Sequence, residues 1–164
     1  MISARRFRDA IGAFPTGVAV VTASGSEGHA GLTTNAIASL SLDPVLLLVC
    51  FDNDSRTLPV VRASRRFAVN ILRADQREVA AVFASKRVAD EKFAAATHSV
   101  AHGVPVLDGA LAWFVCELRE LVPGGDHTIG IGAVTDLDFD GEGDPLVFFR
   151  GRYSQPAATD RPPR

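Results

Sequence analysis

The sequence predicts a mainly β protein of the α+β class, folded as an antiparallel, partly open barrel with short helices packed outside it. Extended or alternating segments outnumber helical ones, at about seven strands to three or four short helices. Clusters of glycine, proline, asparagine and aspartate separate these segments at short intervals. Successive strands have no regular helical crossover between them. Because parallel strands need such crossovers, the sheet is predicted to be antiparallel.

Composition limits the kinds of function that the chain is expected to have. Its 164 residues are 47% hydrophobic, which suits one domain, predicted over residues 1–156, with a flexible C-terminal tail over residues 157–164. The net charge of −2 and a pI near 6.1 argue against a nucleic-acid surface or a basic membrane patch. No segment reaches the roughly 18 apolar residues of a membrane span. Two distant cysteines, Cys50 and Cys116, predict a reduced, cytoplasmic protein.

The first third of the chain begins with a short helix and continues as strands. Ser3 is placed to cap the helix, and Phe7, Ile11 and Phe14 fall on one of its faces. Pro15 and the residues that follow end it. The expected order after this helix is a strand over 18–23, a turn over 24–28, extended chain over 29–41, a turn at 43–44 and an apolar strand over 45–51.

The rest of the chain alternates short helices with strands. A helix is predicted over 56–63, with Pro59 inside its first turn, where proline is tolerated. The later elements are a strand over 66–72, helices over 75–85 and 90–96, an irregular segment over 97–111, strands over 112–122, 128–139 and 145–150, and a closing segment over 151–153. Residues 123–126 are predicted to form a turn.

The strand over 112–122 has the most regular alternation in the chain. Two faces are predicted: one with Trp113, Val115, Glu117, Arg119 and Leu121, and the other with Phe114, Cys116, Leu118 and Glu120. Such alternation is typical of an antiparallel strand whose two faces meet different environments.

Residues 54–57 are predicted to hold an anion. Ser55 is positioned to cap the helix that follows, whose free N–H groups carry partial positive charge. Arg56 adds a full charge with a bidentate fork, and Thr57 adds a hydroxyl. This combination suits a phosphate. The alternative is ordinary helix capping with no ligand.

A run of small polar side chains precedes the central apolar strand. Ser39 and Ser41 are predicted to share one face of a strand, and Thr33 and Asn35 follow the same parity. A row of this kind is able to hydrogen-bond the ring edge or ribityl chain of a cofactor. The alternative is the solvated outer face of an antiparallel sheet.

Other motifs exclude several functions. Gly130 and Gly132 lack the third glycine of a dinucleotide fingerprint and lie within a strand, and no P-loop is present. His29, His98 and His102 have no partner at ligand spacing, so no metal site is predicted. His127 follows Asp126 at a loop tip, which favours either a cofactor contact or an ordinary surface histidine.

Several spaced segments resemble the flavin reductase-like family, the FMN-binding split-barrel proteins that serve as reductase components of two-component flavin-dependent monooxygenases. The matching segments are 14–22 (FPTGVAVVT), 31–36 (GLTTNA), 39–44 (SLSLDP), 50–57 (CFDNDSRT), 67–72 (FAVNIL), 125–127 (GDH) and 145–153 (PLVFFRGRY). The resemblance extends from about residue 7 to 153. It implies a homodimer of split β-barrels of the Greek-key type, with a flavin near the subunit interface.

The resemblance also implies a role for individual residues. Thr33, Thr34, Asn35 and Ala36 would line the flavin ring and ribityl chain, with Ser39 close by and Pro15 and Thr16 bordering the ring. Cys50, Phe51 and Asp52 would contact the flavin from the central strand, and Ser55, Arg56 and Thr57 would hold its phosphate. His127, Phe148, Arg150, Gly151 and Tyr153 would shape the nicotinamide side.

The implied activity is hydride transfer from NADH or NADPH to N5 of FMN or FAD, with the reduced flavin leaving for a partner oxygenase. No acid–base dyad is needed for this step, and the sequence suggests none. Two other functions remain open at this point. One is an oxidase of the pyridoxamine-phosphate-oxidase type, and the other is a non-catalytic flavin-binding or electron-carrier protein.

Overall fold

The computed structural model describes residues 1–156, and the tail predicted over 157–164 lies outside the described residues. The helices are α1 (Ala4–Ile11), α2 (Thr57–Ser64), α3 (Arg77–Ala84) and α4 (Ala89–Ala94), with one 3-10 turn at Ala74–Gln76. The strands are β1 (Thr16–Gly17), β2 (Ala19–Gly25), β3 (Gly28–Thr34), β4 (Ile37–Leu42), β5 (Val45–Asp52), β6 (Arg66–Ile71), β7 (His98–Ala101), β8 (Val104–Leu107), β9 (Ala112–Gly124), β10 (His127–Phe139), β11 (Val147–Phe149) and β12 (Arg152–Ser154). Within residues 1–156, no helix is both long and apolar enough to cross a bilayer.

A seven-stranded antiparallel sheet forms the centre of the fold, which confirms the predicted class. Its strand order is β3-β2-β6-β9-β10-β5-β4. The two edge strands, β3 and β4, are consecutive in the chain and are joined only by residues 35–36. The sheet must therefore curl until its edges meet at one end, which produces the partly open barrel that was predicted.

Two apolar layers pack on the two faces of this sheet. One contains Val21, Phe51, Phe67 and Cys116, with Leu58 of α2 closing it. The other joins residues of β2 to α3 and α4, where the rings of Phe83 and Phe93 meet edge to face at 5.1 Å. Each fully buried phenylalanine contributes roughly 1.5–3 kcal/mol through removal from water. The short helices are therefore held by packing rather than by their own propensity.

Residues 97–111 were predicted to be irregular, and this is wrong. They contain a hairpin of β7 and β8, turned by His102 (φ 48°) and Gly103 (φ 80°). Two consecutive residues with positive φ match the twist of a two-residue hairpin turn. Side chains from the main sheet hold the hairpin: Asn70 Oδ1 accepts from the N–H of Leu107 at 2.9 Å, and the Thr22 hydroxyl donates to the carbonyl of Pro105. These contacts are not visible in a local pattern.

The predicted faces of β9 hold only as far as a bulge at Arg119. Leu118 pairs with Gly132 and Glu120 with Ile131, so Arg119 is the extra residue. The bulge reverses the alternation, and Leu121 joins Leu118 against the barrel core rather than the side of Trp113. Arg65 donates to the carbonyls of Leu118 at 2.8 Å and Arg119 at 3.1 Å, which braces the bulge. The strand also continues to Gly124, so only residues 125–126 form the turn.

Helix α1 forms as predicted, with the hydroxyl of Ser3 accepting from the N–H of Arg6 at 3.3 Å. Its apolar side chains are uncovered, however: Phe7 is 60% exposed and Ile11 53%, and Phe14, which was predicted on the same helical face but lies beyond the end of the helix, is 66% exposed. Three neighbouring large apolar side chains at this exposure form a surface patch of the kind that marks an interaction site.

Candidate functional site

A groove of about 920 Å³ lies between the β2–β3 hairpin, the start of α2 and the segment that joins α3 to α4. Its lining comprises residues 25–34, Cys50, Asp52, residues 54–57, Pro59, Val60, Ala63, residues 83–87, Ala89, Lys92 and His127. Its size falls within the range of pockets that hold small-molecule cofactors. Eight of the residues singled out in the sequence line it: Thr33, Thr34, Cys50, Asp52, Ser55, Arg56, Thr57 and His127.

The start of α2 forms one wall of this groove. The hydroxyl of Ser55 accepts from the N–H of Leu58 at 3.2 Å, which confirms its capping role and leaves its own O–H free to donate. Arg56 directs Nη2 at the carbonyls of Lys86 (2.7 Å) and Arg87 (2.6 Å). Its Nε and Nη1 hydrogens remain for a ligand. The wall therefore combines a helix N-terminus, a hydroxyl and a guanidinium, which is the donor set that a phosphate needs.

Further cations, missed in the sequence, line the same part of the groove. Lys92 is 7% exposed, and its Nζ donates to the carbonyls of Phe83 (2.9 Å) and Gly31 (3.3 Å). Burial, and then the nearby charge of Arg56, lowers the pKa of Lys92 below its usual value. Lys86 and Arg87 also line the groove. Backbone carbonyls are the acceptors for Arg56 and Lys92, so their positive charge favours an anionic ligand.

The other part of the groove is formed by β3, β5 and the start of β10. His127 pairs in register with Asp52, two residues from Cys50 along β5. The Nδ1 atom of His127 lies 2.8 Å from an Asp126 carboxylate oxygen. This hydrogen bond, helped by the charge of the ring, lowers the pKa of Asp126 below its usual range. With Nδ1 engaged, Nε2 of His127 is the ring atom that is free to meet a ligand.

The profile of the family described as "Flavin reductase like domain" matches residues 11–157, which is nearly the whole chain. The chain belongs to this family. It is 42% identical over 154 residues to "Probable flavin reductase" of Rhizobium meliloti, covering 93% of this chain and 49% of that protein. It is 40% identical over 158 residues to the reductase component of the flavin-dependent trigonelline monooxygenase of Acinetobacter baylyi, with shares of 93% and 49%.

A solved structure of the family has the same fold. It is the NADH:FAD oxidoreductase SgcE6 of Streptomyces globisporus, in complex with NAD and FAD fragments. The TM-score is 0.91 at 32% identity, with 98% of this chain and 99% of that chain covered. The chain spans about half the length of the two curated relatives above.

The remaining predicted site residues of this flavin reductase-like chain do not line the groove. Pro15, Thr16, Asn35, Ala36, Phe148, Arg150, Gly151 and Tyr153 lie outside its lining, as do Ser39 and Phe51. A small sheet of β1, β11 and β12 groups several of them: Thr16 pairs with Phe148, and the rings of Phe148 and Tyr153 lie 5.7 Å apart. Asn35 donates to the hydroxyl of Thr16 at 3.0 Å, which joins this cluster to the end of β3. Their contact with a cofactor stays a prediction.

Two of the predicted contacts are constrained by the packing. Phe51 is fully buried and meets Phe67 edge to face at 6.1 Å, so its side chain belongs to the barrel core and only its backbone is available to a ligand. The hydroxyl of Thr33 donates to the carbonyl of Ala80 at 2.7 Å, which leaves only its lone pair for a ligand.

The prediction that Ser39 and Ser41 share a face is wrong. Ser39 pairs with Leu47 and Ser41 with Leu46, so Leu40 is the extra residue of a bulge. Neighbouring residues of β5 face opposite sides, and therefore the two serines do too. The continuous row with Thr33 and Asn35 is also broken, because β3 ends at Thr34 and β4 begins at Ile37.

A second group in the groove wall had no predicted role. His29 lies 2.9 Å from the Ser24 hydroxyl through Nδ1, and its ring centroid lies 5.3 Å from that of Phe93 and 5.6 Å from that of His98. Burial, and then His98, lowers the pKa of His29. Among residues 1–156, no group of His, Cys, Asp and Glu side chains is arranged to hold a metal ion. Of this cluster, His29 lines the groove, and its ring packs against Phe93 and His98 behind it.

The two thiols are expected to differ sharply in reactivity. Cys116 is fully buried, and burial raises its pKa to about 12, whereas Cys50 is half-buried and lines the groove. A thiol-specific reagent should modify Cys50 and leave Cys116 untouched in the folded protein, because only an accessible thiolate reacts. FMN at ten times its Kd should slow the modification about tenfold. Cys50→Ser is the control that removes the labelled site, and unchanged labelling with saturating FMN would place the flavin away from Cys50.

Proposed function

We propose that the chain is an NAD(P)H:flavin oxidoreductase that reduces FMN or FAD and supplies the reduced flavin to a partner monooxygenase. The observation that carries this proposal is the groove itself. It joins an anion-binding wall at Ser55 and Arg56 to a segment where Cys50 and His127 lie on neighbouring strands. The names of the relatives, which include flavin reductases and the reductase component of a monooxygenase, support the same activity.

The donor chemistry of the groove fits a flavin nucleotide. Ser55, Arg56 and the backbone N–H of Thr57 at the start of α2 would hold the phosphate, with Lys92 adding positive charge nearby. Thr34, Cys50 and Asp52 would face the ring and ribityl chain, and His127 would orient the nicotinamide. When both are bound, the nicotinamide supplies a hydride that the flavin ring accepts. The residues of the chain bind and align the two partners and need not exchange a proton.

We also propose that the chain acts as a homodimer in the cytoplasm. The uncovered apolar side chains of α1 (Phe7 and Ile11) and of Phe14 just after it support association, because patches of this kind are usually covered in an assembly. Two cysteines that remain free thiols support a reducing compartment. Sedimentation velocity on the wild-type protein and on Phe7→Ser would test the dimer: a dimer that persists unchanged in the variant contradicts a role for this face.

A single assay tests the activity. The purified protein is mixed with NADH or NADPH and an excess of riboflavin, FMN or FAD under anaerobic conditions, and the nicotinamide absorbance is followed. Flavin-dependent oxidation is the expected result. Flavin binding without oxidation of either NADH or NADPH would favour a flavin carrier, and tight FMN binding with oxidation of an amine but not of NAD(P)H would favour an oxidase. Either result would overturn the proposal.

His127→Ala is expected to raise the nicotinamide KM or to lower kcat while flavin affinity stays nearly constant. The reason is that Nε2 faces a ligand while Nδ1 is held by Asp126. Loss of one positioning contact should cost roughly 1–2 kcal/mol, which is about 5- to 30-fold in kcat/KM. Steady-state kinetics together with flavin fluorescence titration measure the two effects. A collapse of flavin affinity would instead place His127 at the flavin.

A further inference from the structure

Asn53 lies between β5 and α2 and makes three hydrogen bonds to one hairpin tip. Its backbone N–H donates to the carbonyl of Asp126 at 3.1 Å. Its Nδ2 donates to the carbonyl of Gly125 at 3.2 Å, and its Oδ1 accepts from the hydroxyl of Thr128 at 2.7 Å. Neither the family resemblance nor the groove lining gives Asn53 a role. All three bonds end on residues within two positions of His127.

Apart from the strand pairing of His127 with Gly124 and with Asp52, the hairpin tip has few other contacts to fix it. Gly125 has φ 75°, a conformation that glycine adopts freely, and it links β9 to β10 together with Asp126. The side chain of Asp126 is 96% exposed, and hydrogen bonds or ion pairs at such exposure contribute little to order. The Asp126–His127 hydrogen bond therefore cannot by itself hold the ring. The backbone on both sides of His127 is held by Asn53.

We propose that Asn53 is a positioning residue, which acts through His127 to align the nicotinamide with the flavin. The proposal rests on the proposed function, because it takes His127 to be the nicotinamide contact. Asn53 itself does not line the groove. Its effect is to restrict the tip of residues 125–128, and a small misplacement of an orienting group is enough to slow a reaction whose catalysis is largely alignment.

The same segment ties the two parts of the site together. Asp52 Oδ1 accepts from the N–H of Asp54 at 2.8 Å, and the Asp52 carbonyl accepts from the N–H of Ser55 at 3.0 Å. These bonds fix the turn that leads from Asn53 to the capping serine of α2. Loss of the Asn53 side chain is therefore expected to displace the tip of residues 125–128, to which Asn53 is bonded. The hydrogen bond between Ser55 and Leu58 at the start of α2 is expected to remain.

The test compares Asn53→Ala with Gln76→Ala. Gln76 is a matched control, because its amide also joins two backbone segments, accepting from the N–H of Arg73 and donating to the carbonyl of Asp108, both at 3.0 Å and outside the groove. Asn53→Ala should lower nicotinamide kcat/KM by roughly tenfold with flavin Kd changed less than about twofold. Gln76→Ala should leave both unchanged. Thr128→Val, which removes one of the three bonds, should give a smaller shift in the same direction.

A double-mutant cycle separates positioning from general stability. If Asn53 acts through His127, adding Asn53→Ala to His127→Ala should cause little further loss of kcat/KM. Equal losses in both backgrounds would overturn the proposal, as would an effect of Asn53→Ala on flavin Kd alone. NMR signals of the His127 ring give an activity-independent readout. They should shift or broaden in Asn53→Ala and stay unchanged in Gln76→Ala, and an unperturbed ring in Asn53→Ala overturns the proposal even if the reductase activity itself is absent.

Discussion

Arg56→Ala is expected to weaken FMN and FAD binding by about 1–3 kcal/mol, or roughly 5- to 150-fold in Kd, and to weaken riboflavin binding far less. The loss follows from removing a charged donor that lines the groove beside the start of α2. Riboflavin lacks the phosphate and therefore has no partner for this charge. Fluorescence titration with the three flavins measures the difference directly.

Arg56 also has a structural contact that the experiment must separate from ligand binding. Its Nη2 holds the carbonyls of Lys86 and Arg87, so the alanine variant is expected to loosen the segment after α3. Loosening of this segment would weaken the binding of riboflavin, FMN and FAD to the same extent. The comparison across flavins isolates the phosphate contribution. Arg62→Ala, an exposed cation in the last turn of the same helix, is the matched control and should leave all three affinities unchanged.

Gly132→Ala is expected to destabilise the fold by about 1–3 kcal/mol, the usual cost of overpacking a close-packed core. A Cβ on Gly132 would lie 2.6 Å from Cζ of Phe67 and 2.9 Å from Cβ of Cys116. Both neighbours are fully buried, so neither is free to move aside. The melting temperature should fall by roughly 3–10 °C for a chain of this size.

Gly17→Ala is the matched control for this experiment. A Cβ on Gly17 has no atom within 4 Å, and the residue also lies in a strand, so its melting temperature should stay close to that of the wild type. Calorimetry or denaturant unfolding of the two variants side by side makes the comparison. Equal melting temperatures would show that the sheet relaxes around the added methyl group. The same argument applies to Gly130, where a Cβ would lie 2.7 Å from the ring of Phe51.

The glycines of β10 show how a local pattern and a tertiary role differ. In the sequence, Gly130 and Gly132 are notable mainly because they fail to complete a nucleotide motif. In the fold, they give room to the ring of Phe51 on the neighbouring strand β5 and to the ring of Phe67 on β6, two strands away across β9. The glycines were visible in the sequence, but the need for glycine at these positions depends on which side chains of other strands pack against β10.

The bulges and the hairpin that the sequence failed to predict have a common physical origin. Bulges such as those at Leu40 and Arg119 exist only relative to a partner strand, so an alternating pattern along one strand cannot reveal them. The hairpin of β7 and β8 was missed because its strands are short and depend on contacts from Thr22 and Asn70, far away in sequence. Register and bulges were therefore the least predictable parts of the fold.

By itself, the sequence determined where most strands and helices lie and which segment, Ser55 and Arg56, begins the groove wall at α2. Both are local properties: apolar periodicity follows from side chains alternating along a strand, and Ser55 and Arg56 act at the helix that they begin. Tertiary structure alone decided that Lys92 and His127 share a groove with that wall, and that Phe148 and its neighbours lie outside the lining. The physical reason is that long-range strand pairing and burial, rather than sequence spacing, decide which distant side chains meet in one cavity.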